Sequence, residues 1–269
     1  TVLLTNPSLE HMGGLISIIK NFEVNQFIDS VGPDQVSPNM SYDEFLTLLN
    51  EKYFLENRDE PATRQTYETY LELLKVLKER MVVHKKGTYG TMIADEIFRG
   101  QDLELYILNP MEPRIENAYS NLAANSIVTR LVYGNNTFLF TSTLGPEGEA
   151  RLVASGNVLR SDILQIPAHG SLLSSTPNFL RAINPRVAVL CYGNAKLSGR
   201  DKRETSRLKK EMQQTLLKYR GEVEKCYTTD RYTESKDMAV IVTSDGKRCR
   251  IESMRSRGRY EKPLVLEGN

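Results

Sequence analysis

Histidine is scarce in this chain, with only His11, His84 and His169 in 269 residues. Any chemistry that draws on imidazole, whether metal ligation or proton transfer, must use one of these three. Cysteine is equally scarce. Cys191, Cys226 and Cys249 are too few and too scattered for a disulfide framework, and the odd count favours a reducing compartment or buried thiols. No apolar run approaches the ~20 residues that cross a bilayer, so direct membrane insertion by this chain is not expected. There is no G-x-S-x-G elbow for an α/β-hydrolase triad, no Walker A loop and no G-x-G-x-x-G. Hydrophobic residues at 40% and charged residues at 26% exclude disorder, collagen and coiled coil as descriptions of the whole chain. The length suffices for one large domain or two ordinary ones, with a real core.

The net charge of +1 conceals an asymmetry. Residues 196–262 carry 19 Lys and Arg against 11 Asp and Glu, whereas residues 1–195 carry 16 against 22. A basic C-terminal part admits an acidic partner, nucleic acid or protein, through Lys247, Arg248, Arg250, Arg255, Arg257 and Arg259. A solvated basic helix followed by a basic tail at about 253–269 explains the same count. Aromatic interleaving for single-strand stacking is thin, with Tyr227, Tyr232 and Tyr260 nearby.

The pattern alternates between strand and helix. Residues 2–5 read as a buried strand, so the chain opens inside what should be a core element, and neighbouring strands are expected from elsewhere. A short helix around 15–22 and a strand at 24–29 follow. Prolines punctuate residues 32–65, and Ser41 with Glu44 three residues on forms a capping box that opens a helix. Tyr67, Tyr70, Leu71, Leu74, Leu77 and Met81 recur at spacings of three and four, which predicts a helix over 62–81 with its apolar face in the core. These helices read as an insertion at about 32–81. From residue 82 the period turns to two. Strands are expected at 82–84, 91–97, 103–108, 125–133 and 137–141, the last two joined as a hairpin by Gly134-Asn135-Asn136. Helices are expected at 147–155, from Pro177, and at 201–218. Further strands are expected at 163–166, 187–191, 222–228, 238–243 and 247–252, with Ser244-Asp245-Gly246 as the final turn. Hairpins broken by helices suit two sheets face to face with helices outside, or a generic mixed α/β domain.

Several landmarks, in order, resemble one family. Asn6-Pro7-Ser8-Leu9-Glu10-His11-Met12-Gly13-Gly14 is similar to the metal loop of the metallo-β-lactamase superfamily, H-x-H-x-D-H-x-G-G. Asn125 to Leu131 resembles the N-S-L-V-L-R-L strand of its ComEC branch. Phe138 to Thr143 resembles that branch's L-L-T-G-D strand end, with a similar acidic helix start after it. Leu164 to Ser171 resembles L-K-V-P-H-H-G-S. Tyr227 to Asp230, then Ala239 to Gly246, resembles the closing Y-x-T-D and S-D-G hairpin. The resemblance covers nearly the whole chain. It implies a single α/β (α+β) domain over 1–269, a metallo-β-lactamase-like four-layer αβ/βα sandwich truncated at the N-terminus by about two strands. It also implies a DNA-processing hydrolase domain of a competence protein.

The ligand positions that the resemblance implies are largely replaced. Asn6 and Ser8 stand for two histidines, Glu10 for an aspartate, Thr143 for the bridging aspartate, and Ala168 for one member of a histidine pair. The late histidine of many relatives falls in residues 194–201, which contain none. His11 and His169 remain, and neutral oxygens bind zinc weakly. Gly13-Gly14 and Gly170-Ser171 persist, as though the backbone turns were still required. His84 matches no ligand position and reads as a surface residue. The expectation is therefore a non-catalytic binding or structural module without a cofactor. The alternative is a residual phosphodiesterase or nuclease in which His11 and His169 hold one weakly bound zinc or manganese ion. A third reading is an accessory to an uptake channel that touches neither metal nor DNA. Expected partners are DNA, an acidic protein or the membrane-channel segments of a parent protein. The chain is expected to be a soluble domain of a membrane-attached competence protein, with a cytoplasmic location as the alternative.

Overall fold

The computed structural model describes residues 1–93, 103–192, 210–211, 213–229, 239–255, 259–260 and 263–268. The chain is a mixed α/β protein, as expected, with three sheets where two were expected, and it comprises two compact units. The first comprises residues 1–91 and 107–128, and the second residues 92–106 and 129–269.

The first unit begins with β1 (Val2–Leu4), α1 (Leu9–Met12), α2 (Leu15–Asn21) and β2 (Gln26–Asp29). Three helices follow: α3 (Tyr42–Leu49), α4 (Lys52–Glu56) and α5 (Pro61–Glu79). The strand β3 (Val83–Lys86) closes a three-stranded parallel sheet in the order β1-β2-β3. The capping box at α3 is present in both directions: Glu44 N donates to Ser41 Oγ and Ser41 N to the Glu44 carboxylate. Tyr70, Leu74 and Leu77 of α5 are buried with Phe27 of β2, Ile19 of α2 and Phe45 of α3 in one core. The helices at 42–79 are thus built into this unit's core. Met81 departs from its predicted stripe. It lies past the end of α5 at a φ of 53° and is 88% exposed.

β4 (Leu103–Asn109) contributes residues to both units, and α6 (Asn121–Ala124) completes the first. The second unit continues with β5 (Val128–Tyr133), β6 (Asn136–Phe140), α7 (Pro146–Ala154), β7 (Ile163–Gln165), α8 (Pro177–Ile183), β8 (Val187–Leu190) and β9 (Lys225–Thr228). Strands β4 to β9 lie in sequential order in a six-stranded sheet. β5 and β6 form the expected antiparallel hairpin, and β6 to β9 run parallel. The last sheet is antiparallel, with β10 (Ala239–Ser244), β11 (Arg248–Arg255), β12 (Arg259–Tyr260) and β13 (Leu264–Glu267).

The strand period of two explains the layering of this unit. Phe138, Ile163, Val187 and Tyr227 from the six-stranded sheet pack against Cys249, Ile251 and Leu266 of the smaller sheet. The alternate residues Leu139, Leu164, Ala188 and Leu190 point the other way and are also buried, as are Leu152 of α7 and Phe179 and Ile183 of α8. The expected tail at 253–269 is not a tail. β11 extends to Arg255, and β13 pairs with it through Cys249–Leu266 and Ile251–Leu264, so Leu266 is core. Most of the strand expected at 91–97 and of the helix expected at 201–218 lies outside the described residues, although residues 213–218 are helical.

Candidate functional site

Ligands in open parallel sheets bind beyond the carboxyl ends of the strands. In the second unit the loops after β6, β7 and β8 meet at that edge. Ala168 N donates to Ser142 O at 2.9 Å, which joins the loop carrying Thr143 to the one carrying Ala168 and His169. Thr141 Oγ1 donates to Gln165 O at 2.6 Å. His169 Nδ1 lies 2.9 Å from Cys191 O, which ties its ring to the loop after β8. The structure thus brings together Thr143, Ala168 and His169, three positions picked from sequence. Thr143 and Ala168 are half-buried and His169 is exposed.

Two consecutive residues of this loop are left-handed: Ala168 has a φ of 50° and His169 a φ of 51°. Such backbone costs on the order of 1–2 kcal/mol per non-glycine residue, so surrounding contacts must hold it. They are present. Gly170 follows at a φ of 82°, and a Cβ there would meet the Leu190 side chain at 3.0 Å. Thr215 Oγ1 donates to Gly170 O at 2.6 Å. Lys218 Nζ donates to Leu172 O at 2.7 Å and to Ser174 O at 2.6 Å. The buried Glu149 carboxylate accepts Ser175 N at 2.6 Å and Thr176 N at 2.8 Å, and Ser175 Oγ lies 2.6 Å from the Tyr219 hydroxyl. Burial raises the Glu149 pKa despite these bonds, and burial also lowers that of Lys218 against the opposing pull of Glu149. None of these bracing side chains was picked from sequence. Glu149 sits 26 residues from its partner Ser175, and its only mark is an acidic residue in the first turn of α7.

The other picked residues, Asn6, Ser8, Glu10 and His11, belong to the first unit, in the loop and short helix after β1. Asn6 is buried, and its Oδ1 accepts Ser8 N at 3.0 Å in an Asx turn. Its Nδ2 reaches Leu122 O at 3.5 Å. Ser8 caps α1, with its carbonyl accepting from His11 N and Met12 N. Glu10 is exposed and His11 half-buried.

A polar cluster unforeseen from sequence lies in the same unit. Asp29, at the carboxyl end of β2, is buried and accepts Val31 N at 3.1 Å, Gly32 N at 2.7 Å and the Tyr70 hydroxyl at 3.1 Å. His84 Nε2 lies 3.0 Å from Asp29 Oδ1 without the angle of a hydrogen bond, and its ring meets Phe27 edge-on. His84 is therefore not the surface residue expected; its side chain is 11% exposed because the parallel pairing sets it beside Phe27. Burial, then the neighbouring Asp29, raises the Tyr70 pKa well above its usual value, and burial lowers that of Arg114.

Ala168 has no donor, Asn6 spends its amide on main chain, and neutral oxygens are poor zinc ligands. Among the described residues, no three His, Cys, Asp or Glu side chains lie together as a metal ligand set would require.

Of the basic candidates, Arg248, Arg250, Arg255 and Arg259 lie in the last sheet. Arg248 pairs with Glu267 at 3.1 Å and Arg250 with Glu252 at 2.7 Å, so both are partly neutralised. Lys247 lies in the turn before β11. Arg255 and Arg259 sit opposite each other in β11 and β12, and Arg257 lies outside the described residues. Tyr232 also lies outside them, whereas Tyr227 is buried.

No protein-family profile matches the chain. It is 26% identical over 121 residues to ComE operon protein 3 of Bacillus subtilis, a match covering 43% of this chain and 15% of that protein. It is 34% identical over 103 residues to competence protein ComA of Neisseria gonorrhoeae, covering 38% of this chain and 14% of that protein. The matched stretch is thus about a seventh of each relative's length. A crystal structure from Parabacteroides distasonis, provisionally named a metal-dependent hydrolase, aligns over 84% of this chain and 83% of its own. Its identity of 10% and TM-score of 0.33 are below what establishes a common fold. The chain is similar over part of its length to two competence proteins.

Proposed function

We propose that this chain is a non-catalytic relative of the hydrolase domain of ComEC-type competence proteins, serving as a binding or structural module. The observation that carries this is Asn6. Where the resemblance places the first histidine ligand, a buried amide is bonded to its own loop and to Leu122 O. A side chain so used stabilises the turn, and its neutral amide is a weaker metal ligand than the imidazole it stands for. Similarity to two competence proteins supports the competence-related setting. The carboxyl edge of β6–β8, with His169 exposed upon it, is the binding edge in this reading, and the basic last sheet is a second contact surface for an acidic partner such as DNA.

Elemental mass spectrometry of the purified chain, incubated with zinc or manganese and desalted, tests the reading. Well under one metal ion per chain is expected. A stoichiometric ion that disappears in both His11→Ala and His169→Ala would contradict it. One feature favours the residual hydrolase as a second reading: the Cys191 carbonyl fixes one nitrogen of the His169 ring, as ligating or proton-transferring histidines require. For the DNA contact, retention of a single-stranded oligonucleotide should fall steeply with salt and weaken in Lys247→Ala, by about one unit of slope if that lysine meets a phosphate.

A further inference from the structure

We propose that Glu149 and Lys218 are positioning residues that hold the His169 loop in one fixed, left-handed form, so that the imidazole is presented at the edge of the sheet before any partner arrives. This rests on the reading of that edge as the binding edge. The loop leaves β7 through two consecutive left-handed residues, Ala168 and His169, neither of them glycine. Such backbone relaxes unless its neighbours over-determine it. Here a run of contacts just after His169 does so. Glu149 of α7 takes the main-chain N–H groups of Ser175 and Thr176, at the far end of the loop, into one buried carboxylate. Lys218 takes the carbonyls of Leu172 and Ser174 into one ammonium group. Ahead of both anchors Thr215 holds Gly170 O, the residue next to His169. A buried carboxylate and a cation turned on the main chain of one loop are more than a loop needs for mere solubility, because each carries a desolvation cost. Their common effect is to fix where His169 lies.

The scarcity of histidine makes the test direct. With three imidazoles in the chain, the His169 ring signal in a proton–carbon NMR spectrum is assigned by its loss in His169→Ala. Glu149→Gln keeps the shape but replaces one acceptor oxygen with a donor, so one of the two loop N–H bonds must break. The expected result is that the His169 ring signal and the Gly170 amide signal move by more than a linewidth in Glu149→Gln. They should move likewise in Lys218→Met and return towards wild type in Lys218→Arg. Gly134→Ala, in the β5–β6 turn, serves as a variant that lowers stability without touching the loop and should leave both signals in place. The proposal is overturned if folded Glu149→Gln and Lys218→Met show the wild-type signals, or if Gly134→Ala moves them equally. If Glu149→Gln does not fold, the lysine pair decides. The spectrum reports the loop whether or not anything binds, so failure of the brace is distinguishable from failure of the binding-edge reading, which the metal and oligonucleotide measurements address.

Discussion

Glu149 shows how one residue couples burial to pH. Its carboxyl group is raised above the ordinary range mainly by desolvation. The folded protein therefore holds the proton to higher pH than the unfolded chain does. In the window between the unfolded value, about 4.5, and the raised folded value, the native state binds more protons. Stability contributed by this group is thus present at low pH and is lost as pH rises through that window. Melting temperatures of wild type and Glu149→Gln across the window should differ in slope, with the flatter profile in the glutamine variant. Parallel profiles would contradict the assignment. Gly134 makes a different residue-scale demand. It has a φ of 54°, and a Cβ there would lie 2.4 Å from Gly246 O. Gly134→Ala should lower stability by more than about 1 kcal/mol in urea unfolding, because both strain and a main-chain clash oppose it. The turn itself was legible in the sequence as Gly-Asn-Asn. The close approach of the second turn was not, since it joins segments about a hundred residues apart.

Elements were legible where their signals were local. The capping box at Ser41 lies within four residues, and α3 begins where it predicts. Ser41→Ala should cost about 0.5–2 kcal/mol, measured as a fall in urea midpoint at unchanged slope. A change within error would show that packing of Phe45 and Leu46, not the cap, sets the helix start. The apolar stripe of α5 was equally legible, because a spacing of three and four is written in sequence. Met81 broke the pattern, as the helix stops at Glu79 and the chain turns left-handed to enter β3. α6 escaped notice for the opposite reason. It is four residues long, and its start is fixed by Ser120 and by the distant Glu51, which accepts Ser120 Oγ at 3.1 Å and Leu122 N at 2.7 Å. β13 was read as tail because Leu264, Val265 and Leu266 make a strand signal only once β11 is there to pair with.

At the scale of the molecule, periodicity shows that a segment is buried but not which core it joins. The stripe of residues 62–81 shows that a face is buried, but not that Phe45, Tyr70 and Leu77 share the first unit's core with Phe27. The candidate site was legible only as a series of positions. Those in the second unit are joined by the Ala168–Ser142 bond, while the bracing groups come from residues 149 and 215–219 and carry no motif. On the proposed reading, the turns at Gly13-Gly14 and Gly170-Ser171 are kept without the metal chemistry. Hydrolysis of a single-stranded oligonucleotide by the full chain, with zinc or manganese supplied in excess, tests this most directly. The expected rate equals that of the His11→Ala/His169→Ala double variant and of the metal-only control. A metal-dependent rate well above both, lost in the double variant, would contradict it.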